Sequence, residues 1–360
     1  MTHSDNSVLH KFGSHDALIS DEEAPADRPI TERRFGRRSA VRARRIPSLV
    51  MTLTLACVLS SGVGASDGEY DSKSNADSPD SAGLEDCYIE IEETKIHVVQ
   101  GGTGQQTVVM IHGNAGDVQD FEYGVAELLS KSSRVIGFDR PGHGKSARPG
   151  GKAASVEDQS RMLHEALQNL GVKSAILLGH SWGASLALCY AQRYPAETAG
   201  LVLLAPAAFP DTDPNPLLRA VVKTPLIGEL TLMFAKTLMG GARLRHELER
   251  AFYPQPAPEN YLKIATSTWL GRKQLRAYLE DEWSLNNSLR GMSGHYSELR
   301  MPVVIVTGDR DQIVSPKENA YRLKEAIPQA RLLELKGAGH EIPLTNPDDV
   351  YSALKLISTE

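Results

Sequence analysis

The sequence predicts a doubly wound α/β fold with a mostly parallel, eight-stranded sheet and a helical insertion. Short, continuously apolar runs such as Val108–Ile111 and Val303–Thr307 are typical of strands that are buried on both faces. Stretches with helical periodicity separate these runs, and the alternation of strand and helix is the pattern of a parallel sheet. Between residues 207 and 298 the alternation stops, which predicts the insertion.

The first two strands are predicted as an antiparallel hairpin, because residues 88–100 alternate between apolar and polar side chains. The helix before the strand at Ser174 has an N-terminal capping box formed by Ser155 and Asp158, and Gly171 ends it. The six strands after the hairpin are predicted to begin at Thr107, Arg134, Ser174, Gly200, Met301 and Arg331.

One motif places a serine on a sharp turn. Gly179-His180-Ser181-Trp182-Gly183 lies between an apolar run and an alanine-rich helical pattern. The order of strand, turn and helix leaves the serine hydroxyl exposed above the sheet edge, where it can act as a nucleophile. A simple glycine-rich turn would also fit the five residues taken alone, and the flanking strand and helix favour Ser181 as the nucleophile.

An acid and a base follow later strands. The strand at Met301 runs into Gly308-Asp309-Arg310-Asp311, and Gly337-Ala338-Gly339-His340 follows the strand at Arg331. We therefore predict a triad in the chain order Ser, Asp, His, with His340 as the base. Three carboxylates compete for the acid: Asp311, Asp309, which could cap the next turn, and Asp211, which follows the strand at Gly200.

These motifs resemble those of the α/β-hydrolase superfamily, in the branch of serine hydrolases with a helical cap. The resemblance covers about residues 88–358 and includes the loop Phe138–Ser146. It favours Asp311 as the acid, because the family's loop has the same Gly-x-x-Asp pattern. It also implies that the oxyanion hole is formed by the N–H groups of Trp182 and of Asn114, which follows His112-Gly113. His112 and His180 are predicted to pack and to hydrogen-bond beside the site.

The function that this resemblance implies is hydrolysis of a small, mostly apolar carboxylic ester through an acyl-enzyme, without a cofactor. A serine at the turn differs from the aspartate of epoxide-hydrolase and haloalkane-dehalogenase relatives. The same triad also serves carbon–carbon bond hydrolases and peroxy-acid or haloperoxidase-like enzymes, and a non-catalytic ligand receptor is a third alternative. Because the segment Asn114–Asp117 matches neither the Gly-Gly-Pro-Gly nor the aromatic-Pro of known relatives, the substrate stays open.

The insertion at residues 207–298 is predicted to be a cap that selects the substrate. It has eleven Lys and Arg against ten Asp and Glu, so its net charge gives no strong field for a charged ligand. The residues Met233, Phe234 and Trp269 are predicted to line an apolar pocket above Ser181, together with leucines and an isoleucine of the same segment.

Other classes of function fit the sequence poorly. Gly144-Lys145-Ser146 lacks the upstream glycine of a phosphate-binding loop, because Asp139 stands there. His340-Glu341 lacks the second histidine of a zinc protease, and we predict no metal site. The formal net charge of −6 gives no basic surface for nucleic acid. The expected partner is therefore a small-molecule substrate.

The front of the chain is predicted to be an export signal covering residues 1–65. Seven arginines and one acid lie between Thr31 and Arg45, followed by an apolar run at Leu49–Leu59 and by small residues. The pair Arg37-Arg38 favours twin-arginine export to the periplasm or the medium. The alternatives are a membrane anchor through residues 46–64, whose apolar core at Leu49–Leu59 is short for a bilayer span, and a lipoprotein modified at Cys57.

The remaining boundaries follow from composition. Residues 66–87 are rich in Ser and Asp and are predicted to form a disordered acidic linker. The hydrolase core is then divided into residues 88–206 and 299–360 by the cap. A disulfide between Cys87 and Cys189 has no support in the sequence, and the oligomeric state is left open.

Overall fold

The sheet has eight strands in the spatial order β1-β2-β4-β3-β5-β6-β7-β8 in a computed structural model of the chain. The structure describes residues 83–149, 153–211, 244–269 and 271–358, without the side chains of residues 264, 266–269, 272 and 358. The strands are β1 (Glu85–Ile91), β2 (Thr94–Gly101), β3 (Thr107–Ile111), β4 (Arg134–Phe138), β5 (Ala175–His180), β6 (Thr198–Leu204), β7 (Val303–Gly308) and β8 (Arg331–Leu335).

The pairing of the strands confirms the predicted, mostly parallel sheet. β1 pairs with β2 and β2 with β4 in antiparallel orientation, and every pair from β4 through β3 to β8 is parallel. The six strands after the hairpin begin within two residues of the predicted positions. Because the carboxyl ends of parallel strands meet at one edge, the loops after β3, β5, β7 and β8 lie at the same edge of the sheet.

The start of the core differs from the prediction. β1 begins at Glu85, three residues before the predicted boundary at 88, and Glu85 pairs with Gln100 of β2. Asp86 accepts a hydrogen bond from Lys145 Nζ at 2.8 Å and lies 2.5 Å from His97 Nε2. Polar residues occupy this stretch because β1 is an edge strand whose charged side chains find partners, and such a strand resembles a linker in composition.

Helices cover both faces of the sheet, and alternate strand residues contribute to two apolar cores. Val109 and Leu177 point into one core with Leu163 and Leu188, whereas Met110 belongs to the other. The helices are α1 (Gln119–Glu122), α2 (Ala126–Ser130), α3 (Val156–Asn169), α4 (Trp182–Arg193), α5 (described over 244–252), α6 (Glu259–Trp269), α7 (Arg272–Met292), α8 (Arg322–Ala326), α9 (Ile342–Thr345) and α10 (Pro347–Ser358).

The segment predicted as the cap contains three of these helices, α5, α6 and α7, in the part that is described. Helix α7 packs on the core, where Ser288 Oγ accepts a hydrogen bond from Val156 N at 3.3 Å. Leu285, Leu289 and Met292 of the same helix enter the core that includes α3. The long helix α7 is therefore fixed against α3 and the apolar core on one face of the sheet.

Several predictions concern residues outside the described ranges. These are the export signal at 1–65, residues 66–82 of the predicted linker, and residues 212–243 of the predicted cap, which include Met233 and Phe234. Cys87 and Cys189 are each free, and Cys189 is buried. Among the described helices, none combines the length and the apolar character needed to cross a membrane.

Candidate active site

Ser181 lies on the turn between β5 and α4 in a strained backbone conformation. Its φ is +53° and its ψ is −115°, a region that residues with a side chain seldom occupy. Its N–H donates to Leu204 O of the neighbouring strand at 2.9 Å, which fixes the turn. A Cβ on Gly183 would collide with Ile111 O, and one on Gly179 would lie 2.5 Å from Gly183 O. The two glycines of the motif are therefore required by close packing.

The loop after β3 lies directly against this turn. A Cβ added to Gly113 would lie 3.2 Å from Ser181 Cβ. His112 is fully buried, and its Nε2 accepts a hydrogen bond from Arg140 N at 3.0 Å. Its Nδ1 therefore carries the proton and donates to Gly113 O at 2.8 Å. His112 thus shapes the loop, and Trp182 begins α4, so its N–H has no partner inside the helix.

His340 and Asp311 lie together on the loops after β8 and β7. His340 Nδ1 is 2.7 Å from Asp311 Oδ2, and Asp311 Oδ1 accepts hydrogen bonds from the N–H groups of Ile313 and Val314 at 2.7 and 2.9 Å. A carboxylate can only accept, so Nδ1 of the neutral imidazole carries the proton. Nε2 is then left with a lone pair that can take a proton from a nucleophile.

The electrostatics of His340 follow from its surroundings. Burial lowers the pKa of the His340 imidazole, but the charge of Asp311 and its hydrogen bond outweigh burial and raise that pKa above its ordinary value. His180 behaves in the opposite way, because burial and the nearby His340 lower the pKa of His180 to about 3. A neutral His180 donates from Nε2 to His340 O at 3.0 Å and so helps to hold the loop.

The two rival acids have other partners. Asp309 Oδ1 accepts a hydrogen bond from Gly337 N at 2.7 Å, which ties the loop after β7 to the loop after β8. Asp211 is exposed, and its N–H donates to Asn286 Oδ1 at 2.8 Å. Of the three candidates, Asp311 is the one that contacts His340 in the structure.

Helix α7 forms the opposite side of the site. Asn114 Nδ2 donates to Tyr278 O and to Glu282 Oε2, each at 3.1 Å. Trp182 Nε1 lies 3.5 Å from Asp281 O. Both residues predicted to form the oxyanion hole are thus attached to one helix of the predicted cap.

The sequence did not reveal three residues of this region, Arg140, Asp281 and Glu282. Asp281 and Glu282 are separated from their partners by more than a hundred residues, and charged residues on an amphipathic helix are ordinarily predicted to face water. Arg140 belongs to the loop Phe138–Ser146, but its position there gave no indication of its partners. Burial of the Glu282 carboxyl raises its pKa, although the hydrogen bond from Asn114 acts in the other direction.

The residues predicted to line the pocket lie mostly outside the described part of the chain. Met233 and Phe234 lie outside the described residues, and Trp269 is the last residue of α6, without a described side chain. Within the described ranges, no three His, Cys, Asp or Glu side chains are grouped so as to hold a metal ion.

The chain belongs to the α/β hydrolases: the family model for the alpha/beta hydrolase fold matches residues 106–347. It is 26% identical to Lipase 1 of Psychrobacter immobilis in an alignment of 270 positions. The alignment covers 73% of this chain and 80% of the relative. It is 27% identical to a 2-hydroxy-6-oxononadienedioate/2-hydroxy-6-oxononatrienedioate hydrolase of Burkholderia vietnamiensis over 69% of this chain and 85% of the relative. An esterase of Exiguobacterium antarcticum superposes with a TM-score of 0.62 at 25% identity, covering 76% of this chain and 99% of that structure.

Proposed function

We propose that this α/β hydrolase is a serine esterase that cleaves small, uncharged carboxylic esters through an acyl-enzyme. The observation that carries the proposal is the 2.7 Å contact between His340 and Asp311 at the sheet edge where the β5 turn holds Ser181 at positive φ. A nucleophile on a strained turn, a base and an acid that orients the base are the parts of a serine hydrolase.

The proposed reaction has two halves, acylation of Ser181 and hydrolysis of the acyl-enzyme, and His340 transfers protons in both. Ser181 Oγ attacks the ester carbonyl while His340 Nε2 takes its proton, and Asp311 stabilises the imidazolium that forms. The N–H groups of Asn114 and Trp182 bind the tetrahedral oxyanion. Collapse of this intermediate releases the alcohol, which receives the proton from His340. Water then attacks the acyl-enzyme with the help of the same histidine and releases the acid.

The relatives support ester hydrolysis and also bring in a second candidate. Lipase 1 and the esterase are named for ester substrates, whereas the relative from Burkholderia vietnamiensis is named for a dicarboxylate. In this chain Glu282 Oε2 lies 3.1 Å from Asn114 Nδ2, beside the proposed oxyanion hole, and a carboxylate there repels an anionic substrate. This contact favours neutral esters over carbon–carbon cleavage of a dicarboxylate.

The proposal is tested by Ser181→Ala with Ser185→Ala as the matched control. Ser185 lies one turn along α4, and its hydroxyl donates to Ala207 O instead of facing the site. We expect Ser181→Ala to abolish turnover of p-nitrophenyl butyrate and labelling by a fluorophosphonate, with an unchanged circular dichroism spectrum. Ser185→Ala should keep both activities.

Three results would contradict the proposal. Labelling that persists in Ser181→Ala would move the nucleophile elsewhere. Turnover of a vinylogous diketone but of no ester would favour the carbon–carbon hydrolase. An ester that binds the wild-type protein without turnover would favour the ligand receptor.

A further inference from the structure

One buried cation contacts both residues of the proposed oxyanion hole. Arg140 is fully buried in the loop after β4, and its Nη2 donates to Gly113 O at 3.0 Å and to Asn114 Oδ1 at 3.3 Å. The guanidinium carbon lies 4.0 Å from the centroid of the Trp182 ring, within the range of a cation–π contact. Arg140 is therefore placed to influence the two proposed donors together.

The contact with Gly113 O acts on the neighbouring amide. The peptide bond between Gly113 and Asn114 is trans, so its carbonyl and its N–H point in opposite directions. Arg140 and His112 Nδ1 both donate to this carbonyl, which fixes the direction of the Asn114 N–H. A positive charge at the carbonyl oxygen also polarises the peptide and strengthens its N–H as a donor.

Helix α7 holds the guanidinium in this position. Asp281 is fully buried, and its Oδ2 accepts from Arg140 Nη1 at 2.6 Å and lies 3.0 Å from His143 Nε2. Its Oδ1 accepts from Arg148 Nη2 at 2.8 Å and from Gln159 Nε2 at 3.1 Å. Burial alone would raise the pKa of the Asp281 carboxyl, but the charges of Arg140 and Arg148 and the hydrogen bond with His143 together outweigh burial and lower that pKa to about 2, so Asp281 is ionised at neutral pH.

Stability does not account for such a group. Replacement of a buried ion pair by apolar side chains of similar volume is commonly neutral or stabilising. The Nε of Arg140 also has no hydrogen-bond partner among the described residues, which adds to the cost of burying the side chain. A role of Arg140 in the active site would explain a buried charge at this position, whereas its effect on the stability of the fold does not.

We infer that Arg140 is a positioning residue for the oxyanion hole and that Asp281 of α7 holds it in place. Arg140 acts through the Gly113–Asn114 peptide and the Trp182 indole, without touching the substrate. Helix α7 is then a fixed part of the active site as well as a part of the cap. The inference rests on the proposed function.

The test compares Arg140→Met and Arg140→Lys with Arg148→Met. Arg148 is the matched control, because it binds the same Asp281 carboxylate, and its other described contacts are with Pro141 O and Glu280. For each variant we would measure kcat and KM with p-nitrophenyl butyrate, and the affinities for a trifluoromethyl ketone and for butyramide. The ketone forms a tetrahedral adduct whose oxyanion needs the hole, whereas butyramide is uncharged and reports ground-state binding.

We expect Arg140→Met to lower kcat and the ketone affinity by about ten- to a hundredfold, less than the loss of a whole donor. KM and butyramide affinity should stay within about twofold, because the lost interaction belongs to the transition state. Arg140→Lys should be intermediate, since it keeps the charge without the forked geometry. Arg148→Met should leave the ratio of ketone to butyramide affinity unchanged.

Equal changes of the ratio between ketone affinity and ground-state affinity in Arg140→Met and Arg148→Met would show that the ion pair is merely structural, and would overturn the inference. An unchanged ratio in both variants would also overturn it. If Arg140→Met does not fold, Arg140→Lys decides by the same ratio. The rate of fluorophosphonate labelling of Ser181 gives a readout that needs no ester. A wild-type protein that is labelled but hydrolyses no ester would end the esterase proposal, and the labelling rates would still rank the Arg140 variants. Equal labelling rates in the wild type and in the Arg140 variants would end only the inference.

Discussion

The oxyanion side of the site is held by charged side chains, and the histidine side is held mainly by the backbone. On the first side Arg140 and Asp281 join the loop after β4 to helix α7, 141 residues away in sequence. On the second side the N–H groups of His340 and Glu341 donate to Ala251 O of α5 at 3.0 and 3.3 Å. Both loops are thus attached to the segment predicted as the cap, but by different forces.

This difference indicates which changes each side tolerates. A buried charge cannot be removed without leaving its partner unpaired, so we expect the oxyanion side to be sensitive to substitution of Arg140 and of Asp281, which pair with each other. Backbone hydrogen bonds are insensitive to side-chain identity, so the histidine side is expected to tolerate substitution better, except at the contact between the Asp311 carboxylate and His340.

The largest expected effect comes from breaking that contact. Asp311→Asn removes the carboxylate that fixes the proton on His340 Nδ1, and it should lower kcat by about 10⁴-fold with an ester substrate. Asp309→Asn is the control and should lower kcat by no more than about threefold, because an asparagine oxygen can still accept from Gly337 N. Kinetics of both variants with p-nitrophenyl butyrate decide between the two residues. A reversed ranking would assign the acid to Asp309, and two silent variants would favour Asp211.

The pH dependence of the wild-type enzyme gives the next largest effect. His340 must be neutral to act as a base, so kcat/KM should fall about tenfold per pH unit below its pKa and level off above it. Burial lowers this pKa, but Asp311 raises it further, so the midpoint should lie above the ordinary value of 6.5. In Asp311→Asn burial is opposed only by the weaker effect of the Glu341 charge, so the midpoint of the residual activity should move below 6.5. A wild-type midpoint below 6.5 would contradict the geometry of the pair.

The sequence was informative where the chemistry is local. The turn at Ser181 depends on five consecutive residues and their flanking elements, and the buried strands can be recognised by their apolar runs, so the fold could be predicted from these patterns. The contact of His340 with Asp311 was predictable from the order of strands, because parallel strands bring their carboxyl ends to one edge, and from the Gly-x-x-Asp pattern that the loop shares with the family.

The remaining features depend on long-range contacts. No local pattern distinguishes Asp281, a fully buried carboxylate, from Glu280 and Glu282, the half-buried acids on either side of it. The edge strand at Glu85 resembles a linker because half of its side chains face water. The export signal and the pocket residues Met233, Phe234 and Trp269 stay predictions.

The smallest expected effect concerns the charge that lines the oxyanion side. Glu282 is half-buried and contacts Asn114, so an acyl group that ends in a carboxylate on this side of the site meets a like charge. Partly screened charges a few ångströms apart repel by about 1 kcal/mol, or about fivefold in kcat/KM. The wild-type enzyme should therefore prefer p-nitrophenyl butyrate to p-nitrophenyl hemisuccinate.

Glu282→Gln should raise kcat/KM for the hemisuccinate by about fivefold and leave the butyrate rate unchanged, since the amide keeps the hydrogen bond from Asn114 and removes only the charge. Glu280→Gln is the matched control, because Glu280 lies on the same helix and pairs with Arg148 at 2.9 Å. Equal responses of the two variants would mean that the charge acts through the helix as a whole. A wild-type preference for the hemisuccinate would show that the carboxylate faces away from the acyl group, and the proposed selection of neutral esters would then depend on the cap alone.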